Sequence, residues 1–246
     1  MDYRSLADDI ATWIKSKVDE AGAKGIALNL SGGIDSATVA GLAVKAVGPD
    51  KVHTLILPIH SNPQDEEHAR LVAEKFGLTP QKIDLSPVFD LLIQTLPEGS
   101  DLAKANLKPR LRMITIYYIA NTNNLLVVGT GNKTEIMVGY YTKYGDGGVD
   151  ILPIGGLYKK DVRELAKVLG VPEEIIAKPP SAGLWPGQTD EGEMGITYEQ
   201  LDRALEALEK GERDGIPEDV FSMVQSMVRR SSHKRELPAI YSPVTS

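Results

Sequence analysis

Apolar and polar positions along the 246 residues alternate between strand-length apolar runs and helical stripes. Leu6, Ile10, Trp13, Ile14 and Val18 recur at helical spacing over residues 3–22, and Gly22 supplies the stop. The run Ile26 to Leu30 then reads as a buried strand, and Ser36 to Val47, rich in Ala, Val and Leu, as a helix. Gly48-Pro49-Asp50 turns the chain into a second strand, Val52 to Pro58. A helix over 64–77 begins with Asp65, Glu66 and Glu67, as the helix dipole favours, and ends at Gly77. A short strand from Gln81 to Leu85 and a helix from Pro87 to Leu96 follow. Residues 102–123 have a helical pattern in which Pro109 is expected to end one part and start another. The run Leu125 to Gly129 is a further strand, closed by Thr130-Gly131-Asn132.

Strands separated by helices, without hairpin signals, imply crossover connections and a parallel sheet. The expected fold is therefore α/β: a Rossmann-like, doubly wound parallel sheet of about five strands with helices on both faces. Ligands of such sheets bind beyond the carboxyl ends of the strands, so Ser31-Gly32-Gly33 and Thr130-Gly131-Asn132 are expected to share a crevice. The second half is less regular. Lys143 to Pro153 is a loop, Tyr158 to Leu169 a helix ended by Gly170, and Pro172 to Ala177 a short helix. Lys178 to Gly195, with three prolines and four glycines, has the composition of a lid or of a disordered segment. Helices over 197–210 and 217–230 precede a basic run, Arg229 to Arg235. With no repeat, low-complexity tract or linker, residues 1–246 read as one domain.

Apolar content of 42% and charged content of 25% are those of an ordinary globular protein. The net charge of −7 disfavours a nucleic-acid partner gripped through its backbone. The absence of cysteine excludes disulfides, thiolate zinc sites and cysteine nucleophiles. No signal peptide and no membrane-spanning run is visible, so a cytoplasmic location without membrane contact is expected.

Chemistry concentrates first in Leu30-Ser31-Gly32-Gly33-Ile34-Asp35-Ser36. A glycine turn between a strand and a helix aims backbone N–H groups and the positive end of a helix at one point, where a phosphate fits. Ser31 and Ser36 add hydroxyls, and the Asp35 carboxylate makes sense if Mg²⁺ accompanies the phosphates. The stretch lacks the Gly-Lys-Ser/Thr ending of the kinase and GTPase loop and the third glycine of the dinucleotide fingerprint. It resembles instead the pyrophosphate-binding loop of the N-type ATP pyrophosphatases, which split ATP between its α and β phosphates.

Other positions gain meaning from that loop. Glu135 alone reads as a helix-dipole residue; with Asp35 it offers a second oxygen ligand to Mg²⁺. Arg110, and less directly Arg112, suit phosphate groups through their forked donors. Gly139 to Asp146 mixes aromatics, glycines and one cation, which is unusual for a purely structural loop. Lys159 and Lys160 stand at a helix start, where cations oppose the dipole, so an anion partner is expected for at least one. The four histidines show no metal-ligand spacing. The terminal basic run reads equally as a solvated tail or as a segment closing over phosphates.

Taken together these segments are similar to the ammonia-dependent NAD⁺ synthetases over nearly the whole chain. Further marks are Arg110-Leu111-Arg112-Met113, Gly129 to Glu135, Thr142 to Asp146, Lys178 to Leu184 and Gly187-Gln188-Thr189-Asp190-Glu191. The resemblance implies that the carboxylate of deamido-NAD⁺ attacks the α-phosphorus of ATP, and that ammonia then converts the acyl-adenylate to NAD⁺ and AMP. It implies an ATP site at Asn29, Leu30, Ser31, Gly32, Gly33, Ile34, Asp35, Ser36, Thr130, Lys159 and Ser181. Asp35 and Glu135 would bind Mg²⁺, and Asp35 and Lys159 would be catalytic. Arg110, Lys143, Asp150, His233 and Lys234 would contact deamido-NAD⁺, which assigns the basic tail a function. Segment 181–195 would cover the reacting groups. A homodimer is implied, with the stripe of helix 3–22 or Tyr117 and Tyr118 as candidate surfaces. Asn29, Pro109 and Ser181 depart from the residues common in the family, without loss of a charge or ligand. There is no room for a covalently linked glutaminase domain, so free ammonia is the expected nitrogen donor. Alternatives are a GMP-synthetase-like enzyme of the same superfamily and a non-catalytic nucleotide sensor, although a sensor needs neither the acidic pair nor the cover.

Overall fold

The computed structural model describes residues 1–181, 183, 187–213 and 215–242. Its centre is a parallel sheet of four strands: β1 (Gly25–Asn29), β2 (Val52–Ile56), β3 (Gln81–Lys82) and β4 (Leu125–Val127), in the order β3-β2-β1-β4. Ile26 pairs with Val52 on one side of β1 and with Leu126 on the other. The sheet has four strands among the described residues instead of about five, with one further parallel bridge, Val128 to Ile151, in the segment expected as a loop. The chain turns away there, and Pro153, lacking an N–H, cannot extend the ladder. The sequential order reverses between β1 and β4, which places a crevice at the carboxyl ends of those two strands.

Alternation along β1 separates two cores. Ile26 and Leu28 face α1 (Tyr3–Glu20), α2 (Ile34–Val47), α3 (Pro63–Lys75) and, later in the chain, α7 (Lys159–Leu169) and α8 (Glu173–Ala177). Ala27 joins Leu55, Leu57 and Val127 under α4 (Ser86–Thr95) and α5 (Asp101–Asn123). Ala7, Ile14 and Val18 of α1 are buried in the first core, whereas Trp13 of the same stripe is 40% exposed. Among the described residues no helix is long and apolar enough to cross a membrane.

Helix α5 runs unbroken through Pro109 instead of dividing there. Proline leaves one carbonyl of the preceding turn without its amide. That loss is local, whereas Leu111, Ile116 and Ala120 all pack against the sheet on the far side of it.

A third core forms from α6 (Lys133–Val138), α10 (Tyr198–Lys210) and α11 (Glu218–Arg230) around Val138, Tyr198, Leu201, Leu205 and Val224. The segment expected to be loop from 178 to 195 includes a short helix, α9 (Asp190–Met194). Gln188 and Asp190 there are buried and Met194 packs against the third core, so the stretch is anchored by both polar and apolar burial. The basic run continues α11 into α12 (Ser232–Arg235). Arg235 donates to the carbonyls of Ile136 and Met137 (3.2 and 2.7 Å) and Lys234 to those of Gly139 and Tyr141 (2.6 Å each). Cations therefore cap the carboxyl end of α6, and the run is pinned, not a solvated tail.

Candidate active site

The strand-to-helix turn after β1 owes its shape to Gly32. Its φ is +76°, and a Cβ there would come within 2.2 Å of the Asp65 carbonyl oxygen. A side chain would thus meet both backbone strain and α3. Ser36 is buried and its hydroxyl lies 3.1 Å from that of Ser31, which fixes the turn from behind. Gly33 caps α2 without a side chain, so the first amides of that helix stay open to an anion.

The helix after β4 is closed differently. Asn132 accepts from the Glu135 amide (3.0 Å), while the Glu135 carboxylate reaches the Asn132 amide (3.5 Å), a capping box. The Asn132 amide group also donates to Asp35 (3.0 Å), tying the acidic groups of two helices into one frame.

Lys159, at the start of α7, lies between them. Its Nζ is 2.6 Å from Asp35 and 3.0 Å from Glu135, and its side chain is 1% exposed. The Lys159 amide donates to Thr134 (3.0 Å), whose hydroxyl is in turn held by the buried carboxylate of Asp202. Asp202 also accepts from the Lys160 amide (2.9 Å), which balances the positive end of α7. Lys159 and Lys160 do have anion partners, but these are the protein's own carboxylates, Glu206 serving Lys160. Burial would lower the Lys159 ammonium, but Asp35 and Glu135 together outweigh it and hold it above its ordinary value. Burial pushes Glu135 up to about 7, against the pull of Lys159 and with help from Asp35 and Asp190.

These groups border a cavity of about 840 Å³, lined among others by Asn29, Ser31, Asp35, Thr130, Glu135 and Ser181. Leu30, Gly33 and Ile34 also line it, whereas Gly32, Ser36 and Lys159 support it from behind. A neighbouring cavity of about 420 Å³ shares Asn29, Thr130, Arg112, Asp146, Ser181 and Lys234 with the first. The Asn29 side-chain oxygen is buried without a hydrogen-bond partner where the two meet. Such an orphaned acceptor is costly unless a ligand satisfies it.

The residues expected on the dinucleotide side are brought together only in part. Arg110 reaches the Lys143 carbonyl (3.4 Å), and the Lys143 ammonium contacts the His233 carbonyl, forming a seam at the surface. Of this group Lys234 alone lines the cavities. Asp150 stands apart, its carboxylate taken by the Val127 amide and the Tyr117 hydroxyl (2.8 Å each). Arg112, not Arg110, faces both cavities; it donates to the Leu57 carbonyl (2.9 Å), and burial lowers its guanidinium from its ordinary value.

The sequence placed Asn132 at the crevice and Lys178 and Asp190 among the marks of the resemblance but gave none of them a role, and Tyr198 was missed. The role of Asn132 was findable, because Asn three residues before Glu at a helix start is a capping-box signal. Lys178, bound to Asp65 (2.7 Å) at the cavity wall, and Tyr198, against Glu135 (3.1 Å), reach the site only through long-range packing. Of the proposed cover, residues 182, 184, 185 and 186 lie outside the described residues.

Among the described residues no group of three or more His, Cys, Asp or Glu could hold a metal unaided. Asp35 and Glu135 fit Mg²⁺ nevertheless, since that ion commonly takes one or two carboxylates and fills its remaining positions with phosphate oxygens and water.

An open helix N-terminus beside paired carboxylates, at the switch point of a parallel sheet, is the geometry of a phosphate-binding site in an α/β protein. The family model described as NAD synthase matches residues 6–238. An NH₃-dependent NAD⁺ synthetase of Archaeoglobus fulgidus is 51% identical over 98% of this chain and 97% of its own. Among solved structures, the NMN synthetase from Francisella tularensis superposes with a TM-score of 0.90 at 36% identity, covering 100% of both chains. The NH₃-dependent NAD synthetase from Campylobacter jejuni does so with a TM-score of 0.86 at 29% identity, over 98% of this chain and 100% of that one. The chain belongs to the NAD synthase family.

Proposed function

We propose that this protein converts deamido-NAD⁺ to NAD⁺ with free ammonia, at the expense of ATP. The observation that carries the reading is the convergence of Asp35, Lys159 and Glu135 beside the open turn Ser31–Ser36, at the wall of a cavity large enough for a nucleotide. A carboxylate resists ammonia because oxide is a very poor leaving group. Its oxygen therefore bonds first to the α-phosphorus of ATP as the bond to the bridging oxygen breaks, and pyrophosphate leaves. Ammonia then bonds to the activated carbonyl carbon, a proton is lost, and AMP departs with the carboxylate oxygen.

In this reading the turn Asn29–Ser36 grips the pyrophosphate half of ATP, and Thr130 and Ser181 offer hydroxyls to the nucleotide. Asp35 and Glu135 hold Mg²⁺, which neutralises charge on the phosphates. Lys159 keeps the two carboxylates apart in charge and faces the phosphates from behind the turn. Arg110, Lys143, Asp150, His233 and Lys234 serve deamido-NAD⁺; the seam they form in part, with Lys234 at the cavity wall, supports this assignment. The segment following Lys178 screens the adenylate from water.

The whole of 1–246 acts as one catalytic domain, supported by α7 and α8 packing in the same core as α1 and α2. The working form is a homodimer in the cytoplasm. Val88 and Leu91 on α4 and Ile114 and Tyr118 on α5 are large exposed apolar side chains, which supports the dimer because such side chains gain from cover.

The Francisella tularensis neighbour favours a second reading, amidation of the mononucleotide. One assay separates them: protein and Mg-ATP are incubated with deamido-NAD⁺ or nicotinate mononucleotide, and with ammonium or glutamine. Equal amounts of NAD⁺, AMP and pyrophosphate with deamido-NAD⁺ and ammonium, and little product with glutamine, are expected. Release of ADP, or turnover confined to the mononucleotide, overturns the proposal.

A further inference from the structure

Beyond its place in the proposed cover, the stretch Gly187-Gln188-Thr189-Asp190-Glu191 holds two buried polar side chains, Gln188 and Asp190. Asp190 is 4% exposed and its amide donates to the Pro180 carbonyl (3.0 Å), next to Ser181. Its carboxylate accepts from Tyr198 (2.8 Å) and lies 3.0 Å from the hydroxyl of Tyr140, which is nearer to Glu193 (2.7 Å). Tyr198, 1% exposed, begins α10 with its amide on the Glu191 carboxylate (2.9 Å). The same Tyr198 hydroxyl is 3.1 Å from Glu135 Oε1, and the Lys159 ammonium lies 4.8 Å from the centre of its ring. One buried side chain thus touches both Glu135 and the cation beside it.

Packing does not require this. A phenylalanine would fill the same core space, and bringing two carboxylates to one hydroxyl is unfavourable, because they repel and a hydroxyl has a single proton to donate. Asp190 and Glu135 compete for that proton, so the hold of Asp190 on Tyr198 governs how firmly Glu135 is oriented. Groups that orient a metal ligand in this way typically change metal affinity or activity by about 10- to 100-fold.

We propose that Tyr198, held by Asp190, is a positioning residue that sets Glu135 for Mg²⁺. Through its amide on Pro180, Asp190 ties that setting to the loop that bears Ser181. The inference rests on Glu135 being a metal ligand, as read above. The test uses Mn²⁺ as probe, its free concentration followed by electron paramagnetic resonance. It is titrated into the full-length protein saturated with an ATP analogue whose α–β bridging oxygen is replaced by CH₂, so no chemistry follows. Tyr198→Phe is expected to weaken Mn²⁺ binding about 10-fold or more, and Asp190→Asn, which leaves the Tyr198 proton to Glu135, to weaken it less. Affinity for the analogue without metal should stay within about twofold of the parent, as expected when a metal ligand's support alone is lost. Should Asp190→Asn fail to fold, Tyr198→Phe, which keeps the ring, decides. Unchanged Mn²⁺ affinity in Tyr198→Phe, or a parallel loss of analogue affinity from general disorder of the site, overturns the proposal. Glu135→Gln is the separate control: if it leaves Mn²⁺ affinity intact, the reading of Glu135 as ligand is what fails.

Discussion

Lys159 is the residue on which the charges of the site converge, buried between two carboxylates that come from different helices. Removing one partner of such a group leaves charge uncompensated, but Glu135 still pairs with Lys159 when Asp35 is neutralised. Asp35→Asn should therefore stay folded in a thermal melt. Pyrophosphate release should fall by about 100-fold or more, as when a group aimed at developing charge is lost. Near-normal turnover would show that Asp35 is not a ligand. Glu135 carries a second prediction. Its carboxyl lies at about 7 in the folded chain, against an ordinary 4.5, so the folded state holds a proton there that the unfolded state has lost. This contribution to stability is fully present below the ordinary value and disappears as pH rises through about 7. In chelator, the unfolding free energy should decline over that window, and Glu135→Gln should flatten the decline. A parent profile as flat as that of the variant would contradict it.

At the scale of elements, α5 shows how tertiary packing overrules a local signal. Proline in a helix interior is about 3 kcal/mol worse than alanine, yet the helix continues through Pro109 because Ala105 before it is buried and Leu111, Ile116 and Ala120 after it pack in the second core. Pro109→Ala should thus raise the urea midpoint, by up to about 3 kcal/mol in unfolding free energy. A lower midpoint would mean that the proline ring itself is needed where Gly145 packs on it, so closely that a Cβ on that glycine would lie 3.1 Å from the Cβ of Pro109. Helix α6 is the opposite case. Its capping box is local, could be read from Asn132 and Glu135, and places a carboxylate in the site as a by-product of closing the helix end.

At the scale of the whole molecule, Val88 and Leu91 of α4 and Ile114 and Tyr118 of α5 are exposed among the described residues, while most of the α1 stripe is buried or partly buried. Leu91→Glu combined with Tyr118→Glu should convert a dimer to a monomer in size-exclusion chromatography with light scattering, because charge cannot be buried unpaired in an apolar interface. Elution of the parent as a monomer would refute the assignment. The third core, built from α6, α10 and α11, gives the distant stretch after Gly187 its hold on Glu135.

Periodicity and turn chemistry alone determine the alternation of strands and helices, the parallel sheet and the glycine turn, since each depends on neighbours a few residues away. Asp35, Glu135 and Thr130 were legible for the same reason: they follow strand ends, and strand ends define the crevice. Strand number was less so, because whether Ile151 forms a ladder or a single bridge depends on where the chain is drawn next. Only tertiary structure decided that Lys159 stands between the two carboxylates, that Arg112 faces the cavities while Arg110 remains in the surface seam, and that Tyr198 supports Glu135. The contacts of Lys159 and Tyr198 join residues 24 to 124 positions apart, and their energies come from burial and charge pairing that no local window of sequence contains.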